Sequence, residues 1–371
     1  MRLASVEVIP YALPFKEPYV TARGALGRRE LVLLRLRDEE GLVGLGEAVP
    51  LSLRGGTAIE DVVRELEGLD ASGTLDRALQ AVAAGDAIKP GQEGFQEQEL
   101  TSPPARSAAL TALRDLIERQ QAQGGQAVAV SHDPDPVPCN ATLVAGEPAA
   151  VAEEARSWAA EGYSSFKLKL GADGADDVAQ VRAVREALGP EARIRIDANG
   201  AWPLHSARRI LGELEELDIE FAEQPVAEVE EAAELAWQTS IPLAGDESIA
   251  TAREAHHAIL LGAFRLTGIK LSKVGGMPEA RAISRVVHSY VSSALDGPVG
   301  IAAGARLAQS ILSEAANPYA PRFAHGLATQ RLFATTIAAV ECELREGMLH
   351  PPGGAGLGVE IDEDSLRAHR L

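Results

Sequence analysis

The chain has 371 residues, of which 46% are hydrophobic and 24% are charged, and its formal net charge is −19. This length exceeds what one core of ordinary size organises, so two domains are predicted. The acidic balance disfavours nucleic-acid binding, and no apolar run reaches the roughly 18 residues that a membrane-spanning helix needs. Residues 1–15 lack the apolar core of an export signal, so we expect a cytoplasmic protein. Cys139 and Cys342 show no metal-ligand spacing and are expected to be buried thiols.

The first 125 residues have the pattern of an α+β unit. Residues 31–36 and 42–47 are short apolar runs around a polar turn, which predicts a hairpin. Residues 59–69 and 105–117 carry apolar side chains at a spacing of three to four, which is typical of helices. The segment 120–138 is rich in Gln, Gly, Asp and Pro and has no periodicity. We interpret that segment as the connection to a second domain.

From residue 137 onward, short apolar segments alternate with helical ones, which predicts βα units and a parallel sheet. The predicted strands are 137–143, 165–170, 193–197, 220–222, 241–245, 268–271 and 290–295, with a weaker eighth at 322–326. The predicted helices are 149–160, 175–188, 206–217, 229–238 and 252–261. This repetition, with no GxGxxG after the first strand, favours a (β/α) barrel over a doubly wound sheet. We expect the barrel at 137–349, and a capping unit of residues 1–125 to which the segment 350–371 returns.

Charged residues lie at the end of each predicted barrel strand from the second to the seventh. They are Lys167 and Lys169, Asp197, Glu223, Asp246, Lys270 and Asp296. From Lys169 onward, successive members are 28, 26, 23, 24 and 26 residues apart, so each step is one βα unit. The carboxyl ends of parallel barrel strands meet at one end of the barrel, where the active sites of this fold lie. We therefore expect these side chains to converge.

Three carboxylates that converge repel one another, and a divalent cation relieves that repulsion. Oxygen ligands with no His or Cys nearby favour Mg²⁺ over Zn²⁺. A carboxylate substrate on such a cation loses its α-proton more readily, because the enolate charge develops on oxygens that the cation holds. One lysine from the second strand and one from the sixth would reach the α-carbon from opposite faces. A single acidic residue at a strand end is usually a solvated or capping residue, but the regular spacing of the whole set argues against that interpretation.

The motifs around these residues together resemble the muconate lactonizing enzyme subgroup of the enolase superfamily. They are Lys167-Leu-Lys169, Asp197-Ala-Asn199-Gly200, Glu223-Gln-Pro225, Gly245-Asp246-Glu247-Ser248, and Ile269-Lys270 followed by Lys273-Val-Gly275-Gly276. The resemblance extends over nearly the whole chain. It implies an α/β fold, a modified TIM barrel (β/α)7β with an N-terminal α+β capping domain.

The resemblance also implies a role for each residue. The three carboxylates would bind Mg²⁺: Asp197, Glu223 and Asp246. Lys169 and Lys270 would form the acid/base pair, with Lys167 tuning Lys169. Arg23 and residues 51–57 would lie in loops that cap a small carboxylate substrate. Members of the family commonly oligomerise, so a homo-oligomer is implied as well.

Several activities occur in this subgroup: cycloisomerases, dipeptide epimerases, N-acylamino acid racemases and o-succinylbenzoate synthases. Dipeptide epimerases usually carry Asp-x-Asp at the eighth strand, whereas residues 317–330 contain no acidic residue. Residues 244–249 and 291–304 resemble the corresponding segments of o-succinylbenzoate synthases. Residues expected to support the site or touch the substrate are Asn199, Ser292, Ser293, Asp296 and Arg23.

We therefore expect an o-succinylbenzoate synthase, a carbon–oxygen lyase of menaquinone synthesis. Lys169 would take the α-proton and return it to the departing hydroxyl, while Lys270 would be a cation near the enolate. The loops around Arg23 and residues 51–57 instead resemble those of racemases and cycloisomerases. An N-acylamino acid racemase, or a cycloisomerase of the muconate lactonizing or mandelate racemase type, is therefore the alternative. A non-catalytic binding protein is disfavoured, because the acid/base lysines are all present.

Overall fold

The computed structural model describes residues 2–21, 24–50, 56–72, 100–124, 134–172, 176–314 and 323–371. Arg23 and residues 51–55, which were predicted to cap the substrate, lie outside these ranges. The N-terminal unit is an antiparallel sheet of β1 (Leu3–Thr21), β2 (Gly24–Asp38) and β3 (Val43–Ala48), in that order. The predicted hairpin is confirmed, since β2 and β3 pair from Arg37↔Val43 to Val32↔Ala48. Among the described residues of this unit, the helices are α1 (Ile59–Ser72) and α2 (Pro103–Gln123).

Two glycines let helix α2 lie directly against strand β3. A Cβ atom on Gly46 would lie 2.0 Å from the carbonyl oxygen of Ala108, and one on Gly44 would lie 2.2 Å from that of Ala112. The glycines are two residues apart on the strand, and the alanines are four apart on the helix, so each pair shares one face. Any larger side chain at either glycine would push the helix off the sheet.

The predicted first barrel strand at 137–143 is in fact two strands, β4 (Val137–Pro138) and β5 (Ala141–Leu143). Only β5 joins the barrel, since β4 pairs antiparallel with Met348–His350 instead. The remaining barrel strands are β6 (Ser165–Lys169), β7 (Arg193–Asp197), β8 (Ile219–Glu223), β9 (Leu243–Gly245), β10 (Leu266–Ile269) and β11 (His288–Val291). The sheet runs from β5 to β11 in chain order, and each strand is parallel to the next. The predicted α/β barrel is therefore confirmed.

Helices follow the barrel strands and cover the outside of the sheet. They are α3 (Pro148–Ala160), α4 (Asp177–Leu188), α5 (Leu204–Leu214), α6 (Val229–Ala236), α7 (Ala252–Leu261), α8 (Leu271–Val274), α9 (Met277–Ser284) and α10 (Pro298–Glu314). Helix α7 has the bounds that the periodicity predicts, because Thr251 and Glu254 form a capping box and Gly262 ends the helix in the left-handed conformation. The other helices differ from their predicted bounds by a few residues, as frayed helix ends usually do.

Two single bridges stand where the weak eighth strand was predicted. Within the described residues 323–326, His325 bridges Cys139 and Gly326 bridges Ser292, both in parallel. A Cβ atom on Gly326 would lie 2.9 Å from Ser292 Oγ, so a glycine permits this close approach. The seventh strand was also predicted too long, because β11 ends at Val291 rather than at residue 295.

The C-terminal segment contacts both units. It contains β12 (Ala338–Val340), β13 (Glu343–Arg345), β14 (Met348–His350), β15 (Glu360–Ile361) and α11 (Glu363–His369). Arg370 bridges Tyr11 of β1, and Glu363 lies 2.7 Å from the Arg35 guanidinium of β2. Cys139 and Cys342 are buried and free, as expected. Among the described residues, no helix combines the length and the apolarity that crossing a membrane requires.

Candidate active site

Five of the charged residues predicted at strand ends do lie there. Lys169, Asp197 and Glu223 are the last residues of β6, β7 and β8. Asp246 and Lys270 directly follow β9 and β10. Since these strands are adjacent and parallel, all five side chains are brought to the same end of the barrel. The regular spacing in the sequence therefore corresponds to a real convergence.

Lys167 forms ion pairs with two of the carboxylates. Its Nζ lies 2.8 Å from Asp197 Oδ2 and 2.6 Å from Glu223 Oε2, and all three side chains are buried. Burial alone would lower the pKa of Lys167, but the carboxylates around it hold that pKa above its ordinary range. Burial alone would raise the pKa of Asp197, but Lys167 and Lys169 hold it below its usual range. The cluster is thus an array of charges that compensate one another.

The two candidate acid/base lysines lie on opposite sides of the carboxylates. Lys169 Nζ is 2.5 Å from Asp197 Oδ2, and Lys270 Nζ contacts Asp246 Oδ2. The carboxylates come from β7, β8 and the end of β9, whereas the lysines come from the flanking strands β6 and β10. A substrate carboxylate placed over the cluster would therefore have one lysine on each side.

Left-handed backbone conformations follow two of the carboxylates. Asn199 and Gln224, which come just after Asp197 and Glu223, have φ angles of +48° and +37°. Asparagine adopts this region readily, but glutamine rarely does, and backbone strain of that kind clusters at functional sites. Asn199 Oδ1 accepts a hydrogen bond from Lys169 Nζ at 3.1 Å, and its Nδ2 donates to Glu247 Oε1 at 3.0 Å. Asn199, predicted to support the site, is thus beside the candidate base.

Three further residues at the site were not assigned roles from the sequence. Lys273 Nζ lies 2.8 Å from Asp246 Oδ1 and also contacts the carbonyl oxygen of Asp246. Gln224 Oε1 accepts the Asp246 N–H at 3.0 Å and so joins the ends of β8 and β9. Tyr290 donates its hydroxyl to Glu223 Oε2. Lys273 and Gln224 belong to the motifs quoted above, whereas Tyr290 lies within β11 and belongs to none of them.

The residues predicted near the substrate on the seventh strand occupy a loop. Asp296 lies beyond the end of β11, and its Oδ2 accepts hydrogen bonds from Ser293 Oγ at 2.7 Å and the Ala294 N–H at 2.6 Å. These bonds fold the loop on itself, and Leu295 within it has a φ of +67°. Ser292 is buried against Gly326 at the barrel closure. Asp296 therefore lies only near the position that the spacing predicts, because an irregular loop follows the strand.

The carboxylate cluster has the chemistry of a magnesium site. Its donors are all oxygens, and Glu223 Oε1 is buried without a hydrogen-bond partner among the described residues. Burial, with the Asp197 carboxylate adding to it, raises the pKa of Glu223. Within the described ranges, no three acidic, His or Cys side chains form a preformed metal cluster. Lysine ammonium groups contact the same oxygens. The residues fit a divalent cation, which would compete with the lysines for the carboxylates.

Glu47 connects the N-terminal sheet to the mouth of the barrel. Its Oε1 accepts the Gly297 N–H at 2.7 Å, and its Oε2 accepts the Tyr11 hydroxyl at 2.9 Å and the Val299 N–H at 3.3 Å. Helix α10 begins at Pro298, so a carboxyl group from another unit caps this helix. Burial, with the nearby Asp296 carboxyl adding to it, raises the pKa of Glu47 to about 8. Glu47 thereby holds the loop that follows β11.

This raised pKa predicts how stability changes with pH. Between the ordinary value of 4.5 and about 8, the folded protein binds a proton at Glu47 that the unfolded chain releases. The free energy of unfolding should therefore fall as pH rises through this window, by up to about 1.4 kcal/mol per pH unit from this group. Glu47→Gln removes the titration. Urea unfolding of both proteins at several pH values should show a difference that is flat below pH 4.5, grows to about pH 8 and then levels. A difference that stays constant from pH 4 to 9 would contradict this.

Comparisons with known proteins support the family resemblance. Residues 150–365 match the family described as enolase C-terminal domain-like, and residues 4–123 match the mandelate racemase / muconate lactonizing enzyme N-terminal domain. The o-succinylbenzoate synthase of Thermobifida fusca is 41% identical over 203 residues, which cover 53% of this chain and 61% of that enzyme. The N-succinyl-L-Arg/Lys racemase of Bacillus cereus is 27% identical over 371 residues, covering 99% of this chain and 97% of the racemase.

A solved structure agrees with the fold. The dipeptide epimerase of Enterococcus faecalis, complexed with Mg and the dipeptide L-Leu-L-Tyr, superposes with a TM-score of 0.80 at 26% identity, over 97% of this chain and 100% of the epimerase. The two family matches together span most of both units. The charged residues of the motifs lie at the ends of the barrel strands, as the motifs predict. This chain is therefore an enzyme of the enolase superfamily, of the mandelate racemase and muconate lactonizing enzyme type.

Proposed function

We propose that this enzyme is a Mg²⁺-dependent o-succinylbenzoate synthase. It would abstract the proton α to a substrate carboxylate and then expel hydroxide from the neighbouring carbon. The observation that carries the proton abstraction is the placement of Lys169 and Lys270 on opposite sides of a buried cluster of three carboxylates. That arrangement suits a carboxylate substrate whose α-carbon lies between two groups that can exchange a proton with it or stabilise its negative charge.

Asp197, Glu223 and Asp246 would hold the cation. When bound, Mg²⁺ would supply positive charge that offsets the three carboxylates and stabilises negative charge developing on the substrate carboxylate. Glu223 Oε1, which has no hydrogen-bond partner within the part of the chain that the structure describes, is the donor atom that supports this assignment. Lys167, between Asp197 and Glu223, would keep those two carboxylates at a fixed separation.

Lys169 would act as the base and then as the acid. Its neutral amine would take the α-proton, and the electrons of the C–H bond would enter the enolate. As those electrons return, the C–O bond to the hydroxyl breaks, and the Lys169 ammonium gives the same proton to the departing oxygen, so that one water leaves. Lys270, held by Asp246, would remain a cation facing the enolate. Asn199 would orient the Lys169 amine through its 3.1 Å hydrogen bond.

The alternative is a racemase of N-acylated amino acids or a cycloisomerase. The same two lysines support it, because one could remove the α-proton and the other could return a proton to the opposite face. The N-succinyl amino acid racemase matches this chain over its full length, whereas the synthase has the higher identity over a shorter stretch. The higher identity favours the synthase.

A substrate panel with purified protein and Mg²⁺ tests the proposal. The panel contains the hydroxylated, succinylated cyclohexadiene carboxylate, both enantiomers of several N-succinyl amino acids in D₂O, and muconate. We expect dehydration of the cyclohexadiene with kcat/KM of about 10⁴ M⁻¹s⁻¹ or higher, within the ordinary enzymatic range. Absence of dehydration, together with α-deuterium exchange from both enantiomers of an N-succinyl amino acid, would replace the synthase by the racemase.

A further inference from the structure

Tyr290 occupies the interior of the barrel directly beside Glu223. The tyrosine is fully buried on β11, and its hydroxyl donates to Glu223 Oε2. The same Oε2 lies 2.6 Å from Lys167 Nζ. In contrast, Oε1 has no hydrogen-bond partner among the described residues. One oxygen of this carboxylate is thus held twice, and the other is left with its lone pairs available.

The ring of Tyr290 is held by an aromatic cluster around a buried cation. Its centroid lies 5.2 Å from that of Phe221 and 6.4 Å from that of Phe323. The Arg195 guanidinium carbon lies 4.8 Å from the Phe221 centroid and 5.5 Å from that of Tyr290, within the range of a cation–π contact. Arg195 is itself anchored by Glu220 at 2.5 Å and by the carbonyl oxygen of Ala324 at 2.6 Å. The phenol ring therefore has little freedom to tilt.

Strand β10 leaves room for the phenol head. A Cβ atom on Gly268 would lie 3.0 Å from Tyr290 Oη and 3.1 Å from its Cζ. Even a methyl group at this position would crowd the phenol head, whose hydroxyl reaches from β11 to Glu223 on β8. Gly268, two residues before Lys270, thus leaves the space that the phenol head of Tyr290 occupies.

We propose that Tyr290 is a positioning residue for the metal site. Its hydroxyl, with Lys167, fixes Glu223 Oε2 and thereby turns Oε1 toward the cation. The inference rests on the proposed function, since it requires that Glu223 bind a divalent cation. Groups that orient a metal ligand typically change metal affinity or activity by about 10–100-fold when removed. A tyrosine that only filled the core would instead affect stability and leave metal affinity unchanged.

The test is the affinity of Tyr290→Phe for Mn²⁺, measured by electron paramagnetic resonance of the free ion. Phenylalanine keeps the ring and removes only the donor. We expect binding about 10–100-fold weaker than in the unsubstituted protein. Tyr163→Phe is the matched control, because Tyr163 is buried against Trp158 away from the carboxylates, and it should leave affinity unchanged.

A second variant guards against a folding defect. Gly268→Ala retains the hydroxyl but crowds it, and should also weaken Mn²⁺ binding while circular dichroism stays that of the folded protein. Affinity of Tyr290→Phe within twofold of the unsubstituted protein would overturn the inference and leave the proposed function standing. If the unsubstituted protein itself binds no Mn²⁺ or Mg²⁺, the inference and the proposed function both fail, because Glu223 then binds no cation for which Tyr290 could position it.

Discussion

Lys169→Ala should lower kcat by about 10²–10⁴-fold, the range that general acid–base groups contribute. The Lys169 side chain is 14% exposed at the edge of the cluster, whereas that of Lys167 is 4% exposed between two carboxylates. Lys169 is thus the lysine of β6 that can reach a substrate. Steady-state kinetics with the substrate identified by the panel measure the loss. Lys16→Ala, on the exposed surface of β1, is the control that should retain full activity.

The same pair of lysines distinguishes the two candidate reactions. In a synthase, Lys169→Ala should abolish both dehydration and α-proton exchange. In a racemase, each lysine serves one enantiomer, so Lys169→Ala and Lys270→Ala should each abolish exchange from a different one. A Lys169→Ala protein that keeps more than a tenth of the kcat would show that this residue is not the base in either reaction.

Asp246→Asn should weaken Mn²⁺ binding by at least about 100-fold, more than loss of a supporting group would. Its carboxylate is fully buried and contacts both Lys270 and Lys273. The substitution removes a negative donor and leaves two ammonium groups with one charge fewer to offset them. Breaking buried ion pairs in this way destabilises proteins by about 3–5 kcal/mol. Resonance titration of Mn²⁺ and urea unfolding of the metal-free protein measure the two effects.

Asp218→Asn is the matched control for this experiment. Asp218 is exposed, and its backbone is in the left-handed conformation with a φ of +49°, which asparagine also adopts readily. It should change neither metal affinity nor stability appreciably. Asp246→Asn with the metal affinity of the unsubstituted protein would remove Asp246 from the ligand set, whatever the activity shows.

The sequence by itself determined the barrel and the end of the barrel at which the three carboxylates converge. Strand and helix periods are local properties, and a charge that recurs once per βα unit must return to the same end of a parallel barrel. Asp197 and Glu223 could therefore be placed together although no local contact joins them. Asp246 and Lys270, directly after their strands, follow by the same argument.

Only the tertiary structure decided how that end is held together. Tyr290 reaches Glu223 across 67 residues and Glu47 reaches Gly297 across 250, and neither distance leaves a periodic trace in the sequence. The closure of the ring at His325 and Gly326 rests on single bridges, which are too short to produce a strand pattern. Such contacts depend on which side chains face one another once the barrel closes. Residue type determines whether a side chain can donate or accept a hydrogen bond, but its direction in the folded chain determines its partner.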